Sequence, residues 1–176
     1  VAKLVFGMNL SLDGYVDHQE MQISPVLFRH WTGQVSGLAG SVYGRRVYEL
    51  MRYWDADDPG WSDDQSAFAL AWRRQPKWIV SRTMTSVGPN ATLVRDGVDA
   101  LVRGLKTRLA GEIAVSGPCL AGNLTELGLV DEYRLYFNPA VLGRGRPFFA
   151  GARPALRFVA SDQMDDHTIR LTYVPA

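Results

Sequence analysis

Residues 112–138, EIAVSGPCLAGNLTELGLVDEYRLYFN, read as strand, glycine turn, helix and second strand in immediate succession. The apolar strand Ile113–Val115 runs into Ser116-Gly117-Pro118. Gly117 suits an N-cap, and Pro118 suits the first helical position, where its missing N–H would be unpaired anyway. Leu120, Leu124 and Leu127 recur on one helical face, and Gly128 stops the helix. Such a junction leaves free backbone N–H groups and a positive dipole end beyond the carboxyl end of a strand, a site suited to an anion. The same turn is also ordinary α/β punctuation, so alone it does not define a site.

Working outward, strand and helix patterns alternate upstream. Leu4–Leu10 reads as a first, buried strand, followed by the loop Ser11-Leu12-Asp13-Gly14-Tyr15. Leu27, Trp31, Val35 and Leu38 predict a helix over about 25–38. Ser41-Val42-Tyr43 is a short strand ending at Gly44, and Val47, Leu50, Met51 and Trp54 mark an amphipathic helix after it. Asp55–Asp64 carries five aspartates around Pro59-Gly60 and reads as an exposed acidic loop. A helix around 64–74 and strands at Lys77–Ser81 and Thr92–Arg95 come next. Val98, Leu101, Val102, Leu105 and Leu109 then define a helix that leads back to Ile113. Downstream the period changes to two: Tyr133, Leu135 and Phe137 alternate with Arg134 and Tyr136, and Leu156/Phe158 and Ile169/Leu171/Tyr173 alternate likewise. The expected fold is α/β: a mixed, mostly parallel sheet with flanking helices and a C-terminal antiparallel hairpin, in one domain over 1–176.

Composition limits the function. Hydrophobic residues make up 47% and charged residues 21%, as in a folded soluble protein. A net charge of +1 argues against a nucleic-acid partner. No apolar run is long enough to span a bilayer and no signal-peptide pattern is present, so no membrane partner and a cytoplasmic location are expected. Cys119 is the sole cysteine, and His18, His30 and His167 are scattered, so no metal site is expected.

Three junctions share one design. Tyr43-Gly44-Arg45-Arg46 brings two guanidinium groups to a helix start, Val80-Ser81-Arg82-Thr83 ends a strand with hydroxyls and an arginine, and Gly117-Pro118 opens the third. In an open α/β sheet, ligands gather beyond the carboxyl ends of the strands. Three such junctions fit one extended ligand with several phosphates, and a dinucleotide meets that description. Taken singly, Arg45, Arg46 and Arg82 are equally ordinary as solvated charges.

The chain resembles the dihydrofolate-reductase-like superfamily, and within it the reductase domain of bifunctional riboflavin-biosynthesis proteins and its stand-alone relatives. The resemblance rests on Ser11-Leu12-Asp13-Gly14, on Gly44-Arg45-x-x-Tyr48-Glu49 with Trp54, and on Val80-Ser81-Arg82-Thr83. It rests above all on Gly117-Pro118-x-Leu120-Ala121-Gly122-x-Leu124 … Gly128-Leu129-Val130-Asp131-Glu132, then Pro139-x-x-Leu142-Gly143-x-Gly145 and Phe148-Phe149. It implies a three-layer dihydrofolate-reductase-like fold, NADPH as cofactor, a small heterocyclic substrate and a homodimer. By matching position, Gly44, Arg45 and Arg46 would hold the pyrophosphate side, and Ser81, Arg82 and Thr83 the adenosine 2′-phosphate. Gly117, Pro118, Cys119 and Leu120 would approach the phosphates and ribose. Asp13 and Gly14 would lie near nicotinamide and substrate, with Tyr15 and Trp54 on the substrate side. Two positions depart from the family: Val47 stands where many relatives have Thr, and Val115 where the riboflavin-pathway reductases carry a substrate-site Glu.

Reducing a C=N or C=O bond also consumes a proton, which points to a carboxyl group in the first loop. Asp13 is the leading candidate, with Asp17 and Glu20 behind it, although an Asp before Gly also makes turns. Trp31, Tyr43, Tyr48, Trp54 and Trp61 could stack a heterocycle, with core packing the simpler role for Trp31 and Trp54. Trp61, in the acidic loop, suggests a lid or a dimer contact. His30 is expected to be partly exposed, and Cys119 to be a small packing residue. The expected activity is NADPH-dependent reduction of a heterocycle such as 5-amino-6-(5-phosphoribosylamino)uracil. A pterin reductase and a non-catalytic nucleotide-binding module are the alternatives.

Overall fold

The computed structural model describes residues 1–17 and 19–176; His18 lies outside the described residues. Strand β1 (Ala2–Leu10) is buried at almost every position on both faces, as its unbroken apolar run requires. In chain order there follow β2 (Tyr15–Val16), α1 (Pro25–Gly37), β3 (Gly40–Gly44), α2 (Arg45–Met51) with a 3-10 turn (Arg52–Asp55), α3 (Asp63–Arg74), β4 (Lys77–Val80) and β5 (Ala91–Val94). Then come α4 (Val98–Arg108), β6 (Gly111–Ser116), α5 (Pro118–Glu126), β7 (Glu132–Phe137), β8 (Arg146–Pro147), β9 (Leu156–Gln163) and β10 (Ile169–Pro175). The main sheet has the order β5-β4-β3-β6-β1-β7-β10-β9, and β2 and β8 form a separate two-stranded ladder. Every pairing from β5 to β7 is parallel, whereas β10 pairs antiparallel with β7 and β9. The expected mixed sheet with its C-terminal hairpin is the one found.

Alternation along the strands builds a core on each face. Val42 of β3 joins Phe6, Ile113, Val115, Val102, Leu105, Leu120 and Leu124 under α4 and α5. Its neighbour Tyr43 points the other way, to Tyr48, Phe68, Trp72 and Ile79 beneath α1, α2 and α3. Each side chain buried this completely contributes about 1.5–3 kcal/mol. Helix α3 starts in a full capping box between Ser62 and Gln65, with Asp63 and Asp64 in its first turn, so these two aspartates belong to the helix and not to the acidic loop. Helix α5 ends as a Schellman motif, in which Gly128 (φ +66°) and Leu129 return their N–H groups to Thr125 and Leu124.

The connection from β4 to β5, residues 81–90, forms no helix. Two of the three junctions therefore open helices, and the third is a turn. Tyr136 differs from expectation: alternation suggested an outward residue, yet it is 1% exposed, because α1 lays Trp31 (ring centroids 4.6 Å apart) and His30 over it. Beside it Arg134 donates to Glu112 (2.6 Å), Glu132 (2.6 Å) and Gln34 (3.1 Å). Burial opposes its charge, but the two carboxylates outweigh this and raise its pKa.

Lys77 is 2% exposed, donates to the Gln75 carbonyl at 2.7 Å, and lies 4.3 Å from the Trp72 ring centroid. Burial lowers its pKa from 10.5 to about 8, with Asp55 pulling weakly the other way. Between those values the unfolded chain binds more protons than the folded one, so stability rises with pH in that window. The cost of burying the charge is complete below about pH 8 and absent above 10.5. Denaturant unfolding of wild type and Lys77→Met across this range should show the difference moving in favour of the wild type as pH rises; a pH-independent difference would refute the assignment.

Candidate functional site

Strands β3 and β6 lie side by side, Tyr43 opposite Ser116. From there β3 leads through α2 and α3 to β4 on one side, while β6 leads through α5 to β7 on the other. The connections diverge between these two strands, which leaves a crevice at their carboxyl ends. Both helices that leave the crevice start with glycine as N-cap and have no side-chain cap. Gly117 has φ +123°, a conformation closed to other residues without strain, and a Cβ there would lie 3.6 Å from the Gly44 nitrogen and 3.7 Å from Val47 Cγ2. The two helix starts thus lie close together, with Gly117 facing the Gly44 backbone and the Val47 side chain. The Ala121 N–H makes the first intrahelical bond of α5, to Gly117 at 2.9 Å, so the Cys119 and Leu120 N–H groups have no acceptor inside the helix.

Beside this contact is a cleft of about 490 Å³ lined by residues including Met8, Val16, Asp17, Arg46, Val47, Glu49, Pro118 and Arg146. Its apolar wall comes from β1, β2 and α2. Its charge comes from two guanidinium groups and two carboxylates. Of the residues expected to hold cofactor, Arg46 and Pro118 line this cleft, and Val47 presents methyl groups to it. Arg45 extends away, paired with Glu49 (2.8 Å) and donating to the Thr83 hydroxyl. Arg82 is exposed and pairs with Asp96 at 3.3 Å, while Arg95 donates to the Arg82 carbonyl at 3.1 Å. Arg45, Thr83, Arg82 and Arg95 form one basic edge. Ser81 does not offer its hydroxyl to that edge: buried, it accepts the Thr83 and Met84 N–H groups at 3.2 and 3.1 Å and shapes the turn.

Other expected site residues take different places. Asp13 is exposed and accepts the Ser11 hydroxyl (2.6 Å) and the Leu142 and Gly143 N–H groups (3.1 and 2.7 Å). Those bonds, the Ser11 hydroxyl foremost and the two amides after partial desolvation, hold its pKa below the ordinary carboxylate value. With both oxygens engaged in this way and Asp13 outside the lining of the cleft, its place differs from the reacting position expected of it. Gly14 accepts the Phe148 N–H at 3.0 Å, and Tyr15 pairs with Pro147. Trp54 is packed between Phe68 (4.9 Å) and Trp61 (5.1 Å), in an aromatic cluster outside the cleft. Trp61 donates its indole N–H to Tyr53 at 2.8 Å within this cluster, which accounts for its place without a lid.

Tyr43 and Tyr48 are core residues and stack no ligand; burial raises the Tyr43 pKa to about 12. His30 is half-buried, 2.9 Å from the Tyr136 hydroxyl. Cys119 is exposed and so is not the packing residue expected; its sulfur lies 3.4 Å from Arg146 Nη1. Arg146 is the site residue that sequence reasoning missed. The signal was the Gly143-x-Gly145 spacing, since both glycines have positive φ and turn the next residue back toward the cleft. Among the described residues no cluster of His, Cys, Asp and Glu is arranged to hold a metal, and no helix is long and apolar enough to cross a membrane.

The family model of the RibD C-terminal domain matches residues 2–169. A curated Bacillus subtilis (strain 168) protein, Uncharacterized protein YyaP, is 22% identical over 180 residues, covering 97% of this chain and 94% of its own. Two solved structures are similar in fold. One is the diaminohydroxyphosphoribosylaminopyrimidine deaminase/5-amino-6-(5-phosphoribosylamino)uracil reductase of Thermotoga maritima, with TM-score 0.68 and 14% identity over 99% of this chain and 57% of that one. The other is Enterococcus faecalis dihydrofolate reductase complexed with NADP(H), with TM-score 0.68 and 11% identity over 98% and 96%.

The Gly44–Gly117 contact has a testable cost. Gly117→Ala forces an L side chain into φ +123° and should lower unfolding free energy by roughly 1–3 kcal/mol. An unchanged denaturant midpoint would show that the backbone there is not held as described.

Proposed function

Because the chain belongs to the RibD C-terminal domain family, a family of reductases, we propose that it is an NADPH-dependent reductase of a small heterocycle. The observation that carries this reading is the pair of glycine-capped helix starts in contact beside the cleft. The residues present fit a phosphate-bearing dinucleotide. Space that any Cβ at Gly117 would fill stays open, the Cys119 and Leu120 amides lack helical acceptors, and Arg45 and Arg46 stand at the start of α2. Arg82, with Arg95 behind it, would take a 2′-phosphate in place of the hydroxyl of Ser81, which the turn already uses.

NADPH supplies the hydride when bound. The chain does the rest. Met8, Val16 and Val47 exclude water from the cleft, and Arg146 orients an anionic group of the substrate. The accompanying proton falls to Asp17, since Glu49, the other carboxylate that lines the cleft, is held by Arg45 at 2.8 Å. The substrate class is a pyrimidine with an anionic substituent, most like 5-amino-6-(5-phosphoribosylamino)uracil. Val115 favours a second reading: its side chain is 1% exposed in the core, so no substrate carboxylate stands at that position, and a pterin is the alternative substrate.

Quenching of tryptophan fluorescence tests the cofactor reading. NADPH should bind, NADH should bind much more weakly, and Arg82→Ala should erase the difference. Absence of binding by both nucleotides would contradict it. NADPH oxidation with the aminouracil and with dihydrofolate then separates the two substrates, and binding without oxidation of either leaves a nucleotide-binding module.

A further inference from the structure

The first loop and the segment after β7 are tied together across 129 residues of sequence. Leu12 N–H donates to Ala140 at 2.7 Å, Asn138 N–H to Leu10 at 2.9 Å and Phe148 N–H to Gly14 at 3.0 Å. The β2–β8 ladder continues the seam and sets Val16 opposite Arg146. Asp13 spans the tip of this seam, and an Arg144–Glu20 ion pair (3.9 Å) joins the same segments further along. One Asp13 oxygen takes the Ser11 hydroxyl and the Leu142 N–H, and the other takes the Gly143 N–H. Gly143 then turns with φ +71°, Gly145 packs against the Tyr15 ring, and Arg146 enters the cleft beside Cys119.

We propose that Asp13 is a positioning residue for Arg146: its carboxylate clasps residues 142–143 to the first loop, and that clasp holds the Arg146 guanidinium at the cleft. Asp13 itself does not line the cleft. It therefore acts through Arg146, whose charge selects for an anionic group. The identity of that group rests on the reductase reading given above, whereas the clasp does not. Without Asp13 the Leu142 and Gly143 amides lose their acceptor, the loop between Pro139 and Gly145 loosens, and the guanidinium leaves the mouth.

Cys119 is the only cysteine in the chain, exposed, and 3.4 Å from Arg146 Nη1, so it reports on that guanidinium directly. The rate of its modification by anionic 5,5′-dithiobis(2-nitrobenzoate), divided by the rate with neutral 4,4′-dithiodipyridine, isolates attraction of the reagent by nearby positive charge. Arg146→Ala should lower this ratio several-fold. Asp13→Ala should lower it as far, and the double variant no further, because one residue acts through the other. Asp13→Asn, which keeps one acceptor oxygen, should give an intermediate ratio.

A merely destabilised fold would speed both reagents together and leave the ratio at its wild-type value. A wild-type ratio in Asp13→Ala, or in Arg146→Ala, overturns the proposal. This readout needs no turnover, so it separates failure of the clasp from failure of the reductase reading. With NADPH and the phosphorylated aminouracil, Asp13→Ala should raise KM several-fold and change kcat by no more than about twofold.

Discussion

Where β3 and β6 end side by side, two helices begin within van der Waals reach of each other, and the backbone turn that brings them together has a φ of +123° at Gly117. Gly117 meets this demand with a φ that no L side chain adopts readily, and Gly44 lies against it as the cap of the neighbouring helix. The rest of the architecture follows from holding that contact. β1 stays at the centre, buried on both faces, so that β6 can pair on one side and β7 on the other. The helices leaving β3 and β6 run to opposite halves of the sheet, and the two separate cores clamp them there. The helix starts can then point unpaired amides into solvent at one place.

The cleft beside this contact divides its work by element. β1, β2 and α2 supply apolar walls, while charge arrives from α2 and from the loop before β8. Val115 points into the core under α4 and α5, and Val47 presents methyl groups to the cleft, so the charged groups of the cleft are Arg46, Arg146 and the two carboxylates. Arginine suits an anion, since its fork pairs with phosphate and its charge persists at any physiological pH.

Much of the fold was legible because it is encoded locally. Val47, Leu50 and Met51 mark α2, Pro118 and Gly128 bracket α5, and the change of period after Gly128 marks the antiparallel end of the sheet. The features that were not legible depend on partners remote in sequence. Alternation in β7 turned Tyr136 outward, since nothing nearby says that α1 will cover that face. A two-residue ladder such as β2–β8 carries no periodicity at all. Asp13 looked like an acid because its loop placed it near a site, while the two amides that engage it lie far along the chain. Ser81 looked free to bind phosphate because its hydroxyl bonds, to Thr83 and Met84, are visible only once the turn is formed. Arg146 followed a glycine motif that was noticed for its family likeness and not for the direction in which it aims the chain.

That the two glycine-capped helix starts form one cradle for the phosphates of a dinucleotide is tested most directly by amide NMR. The uniformly 15N-labelled protein would be titrated with NADPH and followed at the groups concerned. The largest shift changes should fall on the Arg45, Arg46 and Val47 amides together with those of Cys119 and Leu120, saturating with one common dissociation constant. Changes confined to one of the two helix starts, or centred elsewhere on the molecule, would contradict a shared cradle.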